Sequence, residues 1–154
     1  MQQGWITPLC PHQVTNQTKN PEPKTTMSHF VTIETHIRDA AALEDACAEL
    51  GVSLLRDTEA RGFADTTRHG ELVIRLKGPY DIAANRDPQS AQPDAYALST
   101  DWWGGHVERE VGPNYGRLLQ LYGVHKTLRE ARAKRLRVTR RQEADGSIRL
   151  TLAA

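Results

Sequence analysis

Hydrophobic and polar residues alternate from Val31 onward, and this period of two residues is typical of a strand that buries one face. Val31, Ile33 and Ile37 are expected on the buried face of this first strand. A short second strand is expected over residues 52–55. The polar stretch EARGFADTTRHGE that follows contains two glycines, so we expect an irregular connection there.

Three further alternating segments predict strands in the middle of the chain. Their alternating positions are Leu72, Ile74 and Leu76, then Tyr80, Ile82 and Ala84, and then Tyr96, Leu98, Thr100 and Trp102. Gly78-Pro79 predicts a turn that joins the first two segments as a hairpin. The stretch NRDPQSAQPD is expected to be a surface loop, and the third strand is expected to end at Gly104-Gly105.

Two last strands are expected near the C terminus, at residues 136–141 and 147–152. Asp145-Gly146 lies between them, and this pair is typical of a type I′ turn. The two strands should therefore form a hairpin.

Two segments have the apolar spacing of an amphipathic helix. In the first, Leu43, Ala46, Cys47 and Leu50 predict a helix from Ala40 to Leu50. Asp39 is placed to cap its N terminus, and Gly51 is placed for a left-handed residue at its C terminus. This spacing puts Cys47 on the buried side, so we expect it to pack and not to react.

The second predicted helix is longer and runs from a cap at Asn114 to about Lys134. Its apolar side carries Leu118, Leu121, Leu128 and Ala131. Gly123 lies inside it, where glycine costs about 1 kcal/mol relative to alanine, so a kink or a close backbone contact is expected there.

The order of these elements is β-α-β-β-β-β-α-β-β, which predicts an α+β fold in which two helices cover an antiparallel sheet. We assign residues 27–154 to this single domain. Residues 1–26 are polar, contain four prolines and lack strand or helix periodicity. Two interpretations stay open for them: a disordered extension, or a start codon placed too far upstream, with Met27 as the true start.

Composition excludes few classes of function. The 154 residues carry a formal net charge of +1 with a pI near 7.9, so no overall charge favours nucleic acid or an anionic membrane. Cys10 and Cys47 form no metal-binding pair. No stretch approaches the roughly 18 apolar residues of a membrane span. These features predict a soluble cytoplasmic protein without a membrane partner.

Local charge is less even than the total. Basic residues are concentrated in and after the second helix: Arg117, Lys126, Arg129, Arg132, Lys134, Arg135, Arg137, Arg140 and Arg141. The first helix carries Glu44, Asp45 and Glu49 instead. The candidate partner-binding residues are Arg129, Arg132, Lys134, Arg135 and Arg137, facing phosphates or an acidic partner. The alternative is a solvated helix face and a hairpin edge that arginines protect from pairing.

Aromatic and histidine residues give two more candidates. Trp103 follows Trp102, and alternation would place the two indoles on opposite faces of the strand, with Trp103 available for docking. The alternative is that both pack. His125 falls near the apolar side of its helix and must find a hydrogen-bond partner if it is buried. No histidine pair has H-x-x-x-H spacing, so we expect no metal site.

Signatures of the common enzyme classes are missing from the sequence. It contains no G-x-S-x-G, no P-loop and no dinucleotide-binding glycine motif. We therefore expect a protein that needs no cofactor and does not act as an enzyme.

Five segments in order, MSHFVTIETHIRD, GELVIRLKGPYDIAAN, TDWWGG, LYGVHKTLREA and EADGSIRLTL, resemble the hypothetical chloroplast open reading frame thirty-five family. This is a domain of unknown function in plastids, cyanobacteria and other bacteria. The resemblance implies a start at Met27 and an accessory or adaptor role beside an AAA-class ATPase. Docking through the basic C-terminal helix and hairpin is the favoured function, and an RNA-binding or ribosome-associated module is the alternative.

Overall fold

The structure is a computed structural model, and it describes residues 30–154. The predicted extension at 1–26 and the predicted start at Met27 lie outside the described residues. The elements are β1 (Phe30–Glu34), α1 (Ala40–Leu50), β2 (Ser53–Arg61), β3 (Thr67–Arg75), β4 (Ile82–Arg86), β5 (Tyr96–Asp101), α2 (His106–Val111), α3 (Gly116–Ala133), β6 (Arg137–Gln142) and β7 (Ile148–Ala153). Short 3₁₀ turns lie at Phe63–Asp65, Trp103–Gly105 and Pro113–Tyr115.

Strands β1 to β5 form one antiparallel sheet in the order β1-β5-β4-β3-β2, and β6 and β7 form a separate two-stranded sheet. The predicted α+β class, with two long helices and an antiparallel sheet, is confirmed. Across the sheet, Leu72 stands opposite Ala84 and Ala84 opposite Leu98, and all three side chains are buried. This face of the sheet belongs to the main core with apolar residues of α1 and α3.

Helix α1 has the bounds that its sequence predicts. Asp39 Oδ1 accepts hydrogen bonds from the backbone N–H groups of Ala41 and Ala42, at 3.0 and 3.1 Å. Gly51 ends the helix in the left-handed region with φ 75°. Cys47 is buried, and this burial raises the pKa of its thiol to about 12, so it packs as a protonated apolar group.

The predicted irregular connection after β2 is wrong, because β2 and β3 form one long hairpin with only Gly62–Thr66 between them. The hairpin bends at Asp57, which has φ 48° and is the one β2 residue between Ser53 and Arg61 without a paired partner in β3. The part beyond the bend, which we call the arm (residues 58–70), is polar on its exposed surface. Its sequence therefore lacks the alternation that identifies a strand.

The arm folds over the second face of the sheet. Ala60 on the arm forms a small core with Val73 and Ala83, and Phe30 packs against it. Gly70 is buried at the bend, where a Cβ would lie 2.6 Å from the carbonyl oxygen of Leu72. Only glycine fits this close approach.

Asp81 holds the arm in place. Its side chain is 0% exposed and accepts hydrogen bonds from Arg61 Nε and Nη2, each at 2.8 Å, and from the Arg61 backbone N–H at 3.0 Å. The Leu76 N–H donates to the same carboxylate at 3.1 Å, and Arg75 Nε lies 3.3 Å away. Arg61 thus binds the buried carboxylate in bidentate geometry, and Arg75 is a second cation beside it.

Strand β1 is shorter than the alternation predicts. It ends at Glu34, and Ile37 is buried beyond the strand. Val31 is 48% exposed, so its expected burial is wrong. As β1 is an edge strand with a neighbour on one side only, the core covers it incompletely.

The segment between β5 and α3 also differs from its prediction. Strand β5 ends at Asp101, so Trp102 and Trp103 lie in a turn and not on the strand, and α2 was not predicted because it has only six residues. Asn114 is not the cap of α3. It has φ 50° inside a 3₁₀ turn, and Tyr115 precedes the helix with no side-chain cap bond, because its ring is buried in the main core.

The C-terminal hairpin forms as predicted, but its turn is of another type. Gly146 has φ 84°, whereas Asp145 does not have a positive φ, and a type I′ turn requires both. The Gly146 N–H donates to Glu143 O at 3.1 Å, and Glu143 N–H donates to Ser147 O at 2.9 Å. The loop therefore has three residues and one left-handed glycine, the second most common hairpin geometry.

Replacing Asp81 with alanine should destabilise the protein by roughly 3–5 kcal/mol, because it leaves Arg61 and the Leu76 N–H without their buried acceptor. Urea unfolding followed by circular dichroism measures the loss. Glu59→Ala is the matched control, since Glu59 is exposed on the arm, and it should change the free energy of unfolding by less than about 0.5 kcal/mol. Equal effects of the two substitutions would contradict the role given to Asp81.

Gly123→Ala should stabilise the protein by about 0.5–1 kcal/mol. The predicted close backbone contact at Gly123 is wrong, because a Cβ there meets nothing within 4 Å, and α3 continues through it. Gly112→Ala is the opposing control, since Gly112 has φ 80° and its Cβ would lie 3.0 Å from the Arg117 nitrogen. In a thermal unfolding experiment, the unfolding temperature should therefore rise for Gly123→Ala and fall for Gly112→Ala.

Candidate functional site

The two long helices bring the acidic and basic segments of the sequence against each other. Three ion pairs connect α1 or its cap with α3 and β6: Asp45 with Arg129 at 2.6 Å, Asp39 with Lys126 at 3.2 Å, and Glu49 with Arg140 at 2.6 Å. His125 Nε2 also lies 2.5 Å from Glu49 Oε2. Part of the basic run is thus neutralised inside the molecule.

These contacts change the ionisation of the carboxyl groups involved. Hydrogen bonds from Arg140, and then from His125, hold the pKa of Glu49 below its ordinary value. Arg129 lowers the pKa of Asp45 in the same way. Both carboxylates stay ionised at neutral pH and serve as internal partners for the basic helix.

His125 was predicted to need a hydrogen-bond partner if buried, and Glu49 is that partner. The His125 side chain is 19% exposed, and its Nε2 lies 2.5 Å from Glu49 Oε2. Arg140 donates to both oxygens of the same carboxylate, at 2.6 Å to Oε1 and at 3.1 Å to Oε2. His125, Glu49 and Arg140 thus connect α3, α1 and β6. The functional role predicted for His125 stays a prediction.

Arg129 differs from the other candidate cations. Its guanidinium is bound to Asp45, whereas Arg132, Lys134, Arg135 and Arg137 are exposed and form no ion pair within residues 30–154. Arg135 has φ 56° at the end of α3, which turns the chain directly into β6. These four cations are therefore concentrated at one end of the molecule.

The register of the C-terminal hairpin adds to this group. Arg137, Thr139 and Arg141 are spaced two residues apart along β6, and Arg141 stands directly opposite Arg149 on β7. Side chains two residues apart on a strand share a face, so the three arginines lie on one face of the hairpin. Arg149 pairs with Glu143 at 3.1 Å.

We call Arg132, Lys134, Arg135, Arg137 and Arg141 the basic end. Like charges directly opposite each other in a sheet are destabilising, so the Arg141–Arg149 pair lowers stability and concentrates positive charge. Arg141 and Arg149 were not predicted as site residues. The signals that could have identified them are the turn at Gly146 and the alternation along β6 and β7, which together place these arginines on one face of the hairpin.

Trp103 lies away from the basic end. Its side chain is 44% exposed, and its ring is 5.7 Å from that of Phe63 on the arm. Trp102 is half-buried and packs on Tyr115, with ring centroids 4.8 Å apart, at the N terminus of α3. The 18 residues of α3 span about 27 Å at 1.5 Å per residue, and the basic end is at its other end. The structure thus does not bring Trp103 and the candidate cations together.

Two further features bear on chemistry. Within residues 30–154, no group of three or more His, Cys, Asp or Glu side chains is arranged to hold a metal ion. No helix in that same part of the chain has the length and apolar character needed to cross a membrane.

The fold and the basic end define a small α+β protein with a group of exposed cations at the end of α3 and on β6. The chain belongs to the family described as Protein of unknown function (DUF1257), whose model matches residues 46–151. That match begins inside α1 and ends inside β7, so it includes the basic end. Comparisons with curated proteins and with solved structures found no match.

Acid should weaken the protein partly through Glu49. A carboxyl group whose pKa is lowered by folding stabilises the fold above its ordinary pKa of 4.5, and this contribution is lost as the pH falls through the folded-state value. Glu49→Gln should lower the free energy of unfolding by up to roughly 1 kcal/mol at pH 7 and by less at pH 3.

Urea unfolding at pH 7, 5, 4 and 3 measures this difference. Glu59→Gln is the control, because Glu59 is exposed and its side chain forms no ion pair in the described structure. If Glu49→Gln lowers the free energy of unfolding by the same amount at pH 7 and pH 3, the ionised form of Glu49 does not stabilise the fold.

Proposed function

We propose that the protein is a non-enzymatic cytoplasmic accessory protein that docks through the basic end onto an acidic surface of a partner protein. The observation that carries this proposal is the contrast between two groups of cations. Lys126, Arg129 and Arg140 are bound to carboxylates of α1 or its cap, whereas no cation of the basic end forms an ion pair within residues 30–154.

The uncompensated charge suits recognition for a physical reason. Exposed cations on one face raise the rate of encounter with an acidic surface and select against basic surfaces, while they add less to affinity. Arginine is well suited to this role, because its planar guanidinium binds a carboxylate in bidentate geometry. Four of the five residues in the basic end are arginines.

Trp103 would be a second contact region and not part of the same patch. Exposed aromatic side chains are enriched in protein interfaces, but about 27 Å separates the two ends of α3. A partner that contacts both regions must therefore cover one side of the molecule. A smaller partner would use the basic end alone.

The resemblance to the hypothetical chloroplast open reading frame thirty-five family suggests the identity of the partner. It implies an accessory role beside an AAA-class ATPase, in an organism with a plastid or in a bacterium. We propose such an ATPase as the protein that the basic end meets.

Co-purification from the native host tests the proposal. Tagged full-length protein is isolated with and without nuclease treatment, and the bound proteins are identified by mass spectrometry. A defined acidic protein that survives nuclease supports docking to a protein. Loss of all partners with nuclease treatment would favour the RNA-binding or ribosome-associated alternative, for which binding should weaken steeply with added salt.

Reversing Arg132, Arg135 and Arg137 to glutamate should reduce partner capture at least tenfold and leave the circular dichroism spectrum unchanged, because these side chains are exposed and unpaired within the described residues. The matched control reverses Lys77, Arg109 and Arg117, which are also exposed but lie away from the basic end. Unchanged capture by the first variant, or equal loss by the control, would exclude the proposed surface.

A further inference from the structure

The second face of the sheet contains a cavity that the docking surface does not use. It has a volume of about 270 Å³ and lies beside the arm, between β1, β4, β5 and the loop after β4. Its floor is low because small side chains occupy the middle of the sheet here. Ala97 stands between Glu34 and Asn85 across the strands, and Ser99 lines the cavity on the next row.

Hydrogen bonds fix the polar side chains that line this cavity. Asn85 Oδ1 accepts from the Glu71 N–H at 2.8 Å, and its Nδ2 donates to His69 O at 2.9 Å. The hydroxyl groups of Thr32 and Ser99 are 2.7 Å apart. These positions are set before any ligand arrives, which reduces the entropy that binding must offset.

Gln92, which lines the cavity from the loop after β4, is also held by hydrogen bonds. Gln92 Oε1 accepts from His36 Nδ1 at 2.8 Å and from Arg38 Nη2 at 3.3 Å. Its amide NH₂ group is therefore oriented by two contacts on the oxygen side. Tyr96, another lining residue, has the Arg86 guanidinium 5.3 Å from its ring centre.

The charges around the cavity have both signs. Arg68 projects from the arm, Glu34 comes from β1, and Asp87 begins the loop after β4, and all three line the cavity. None of them forms an ion pair with another residue in 30–154, although residues of both signs line the cavity. Charges that line one cavity without reaching each other leave room for a ligand with two complementary charges.

We propose that this cavity binds a free α-amino acid as its zwitterion. The ligand carboxylate meets the Arg68 guanidinium, and the ligand ammonium group meets Glu34 and Asp87. Thr32, Ser99 and Gln92 supply hydrogen bonds. A cavity of about 270 Å³ is large enough to hold a molecule of this size.

Other ligand classes fit the charges less well. A simple anion would lie against two carboxylates, and a simple cation would lie against Arg68. An uncharged polyol would cover all three charges without neutralising any, which is unfavourable. This site is separate from the basic end, so it does not rest on the proposed docking function.

Isothermal titration calorimetry of the full-length protein with each of the 20 standard amino acids tests the proposal. At least one should bind at neutral pH with a Kd below 1 mM, while acetate, methylammonium and glycerol at equal concentration should give no heat of binding. Binding of acetate as tight as that of the amino acid, or the absence of binding by all 20, would overturn the proposal.

Variants of the lining residues locate the site. Arg68→Gln and Glu34→Gln should each weaken binding at least tenfold, and Ala97→Leu, which fills the floor, should abolish it. Arg117→Gln removes an exposed cation elsewhere and should bind as the unchanged protein does. Arg68 and Glu34 are exposed, so these variants should keep the wild-type unfolding temperature. Wild-type affinity in all three lining variants would show that the ligand binds elsewhere.

Discussion

The buried carboxylate of Asp81 is the contact on which the shape of this protein depends. A charge without access to water must be paired, and Arg61 on the arm supplies most of that pairing. Because Arg61 belongs to the arm, the arm must lie over the second face of the sheet whenever Asp81 is satisfied. The same placement of the arm brings Ala60 against Val73 and Ala83 and puts Arg68 beside the cavity.

The helices are held by a different balance of forces. Apolar residues of α1 and α3 pack on the first face of the sheet and supply most of the stabilisation, while the ion pairs of Asp39, Asp45 and Glu49 are partly exposed and individually weak. The larger consequence of these pairs is for the surface. They neutralise Lys126, Arg129 and Arg140, whereas the cations of the basic end form no ion pair within residues 30–154.

The C-terminal hairpin is attached to the rest of the molecule through few elements. A two-stranded sheet is marginally stable by itself, and β6 and β7, which form no ladder with the five-stranded sheet, pack on α3. The contact of Arg140 with Glu49 also joins β6 to α1. Arg140 lies on the hairpin face that meets α1, so Arg137, Arg141 and Arg149 lie on the opposite face.

The sequence by itself determined the features that depend on neighbouring residues. The cap at Asp39, the left-handed Gly51 and the apolar spacing between them set α1 to the residue, and alternation located β3, β4 and β5. The arm was missed because most of its residues are exposed and polar, so its few apolar residues do not alternate along the strands. The cap at Asn114 failed because burial of Tyr115 determines where α3 begins.

Only the tertiary structure decided which distant groups meet. The acidic and basic segments were both visible in the sequence, but their pairing, and therefore the difference between Arg129 and Arg132, depends on how α1 packs against α3. The cavity likewise joins residues from β1, β4, β5 and the arm. Local patterns act over a few residues, whereas these contacts join positions far apart in the chain, and burial and strand register select them.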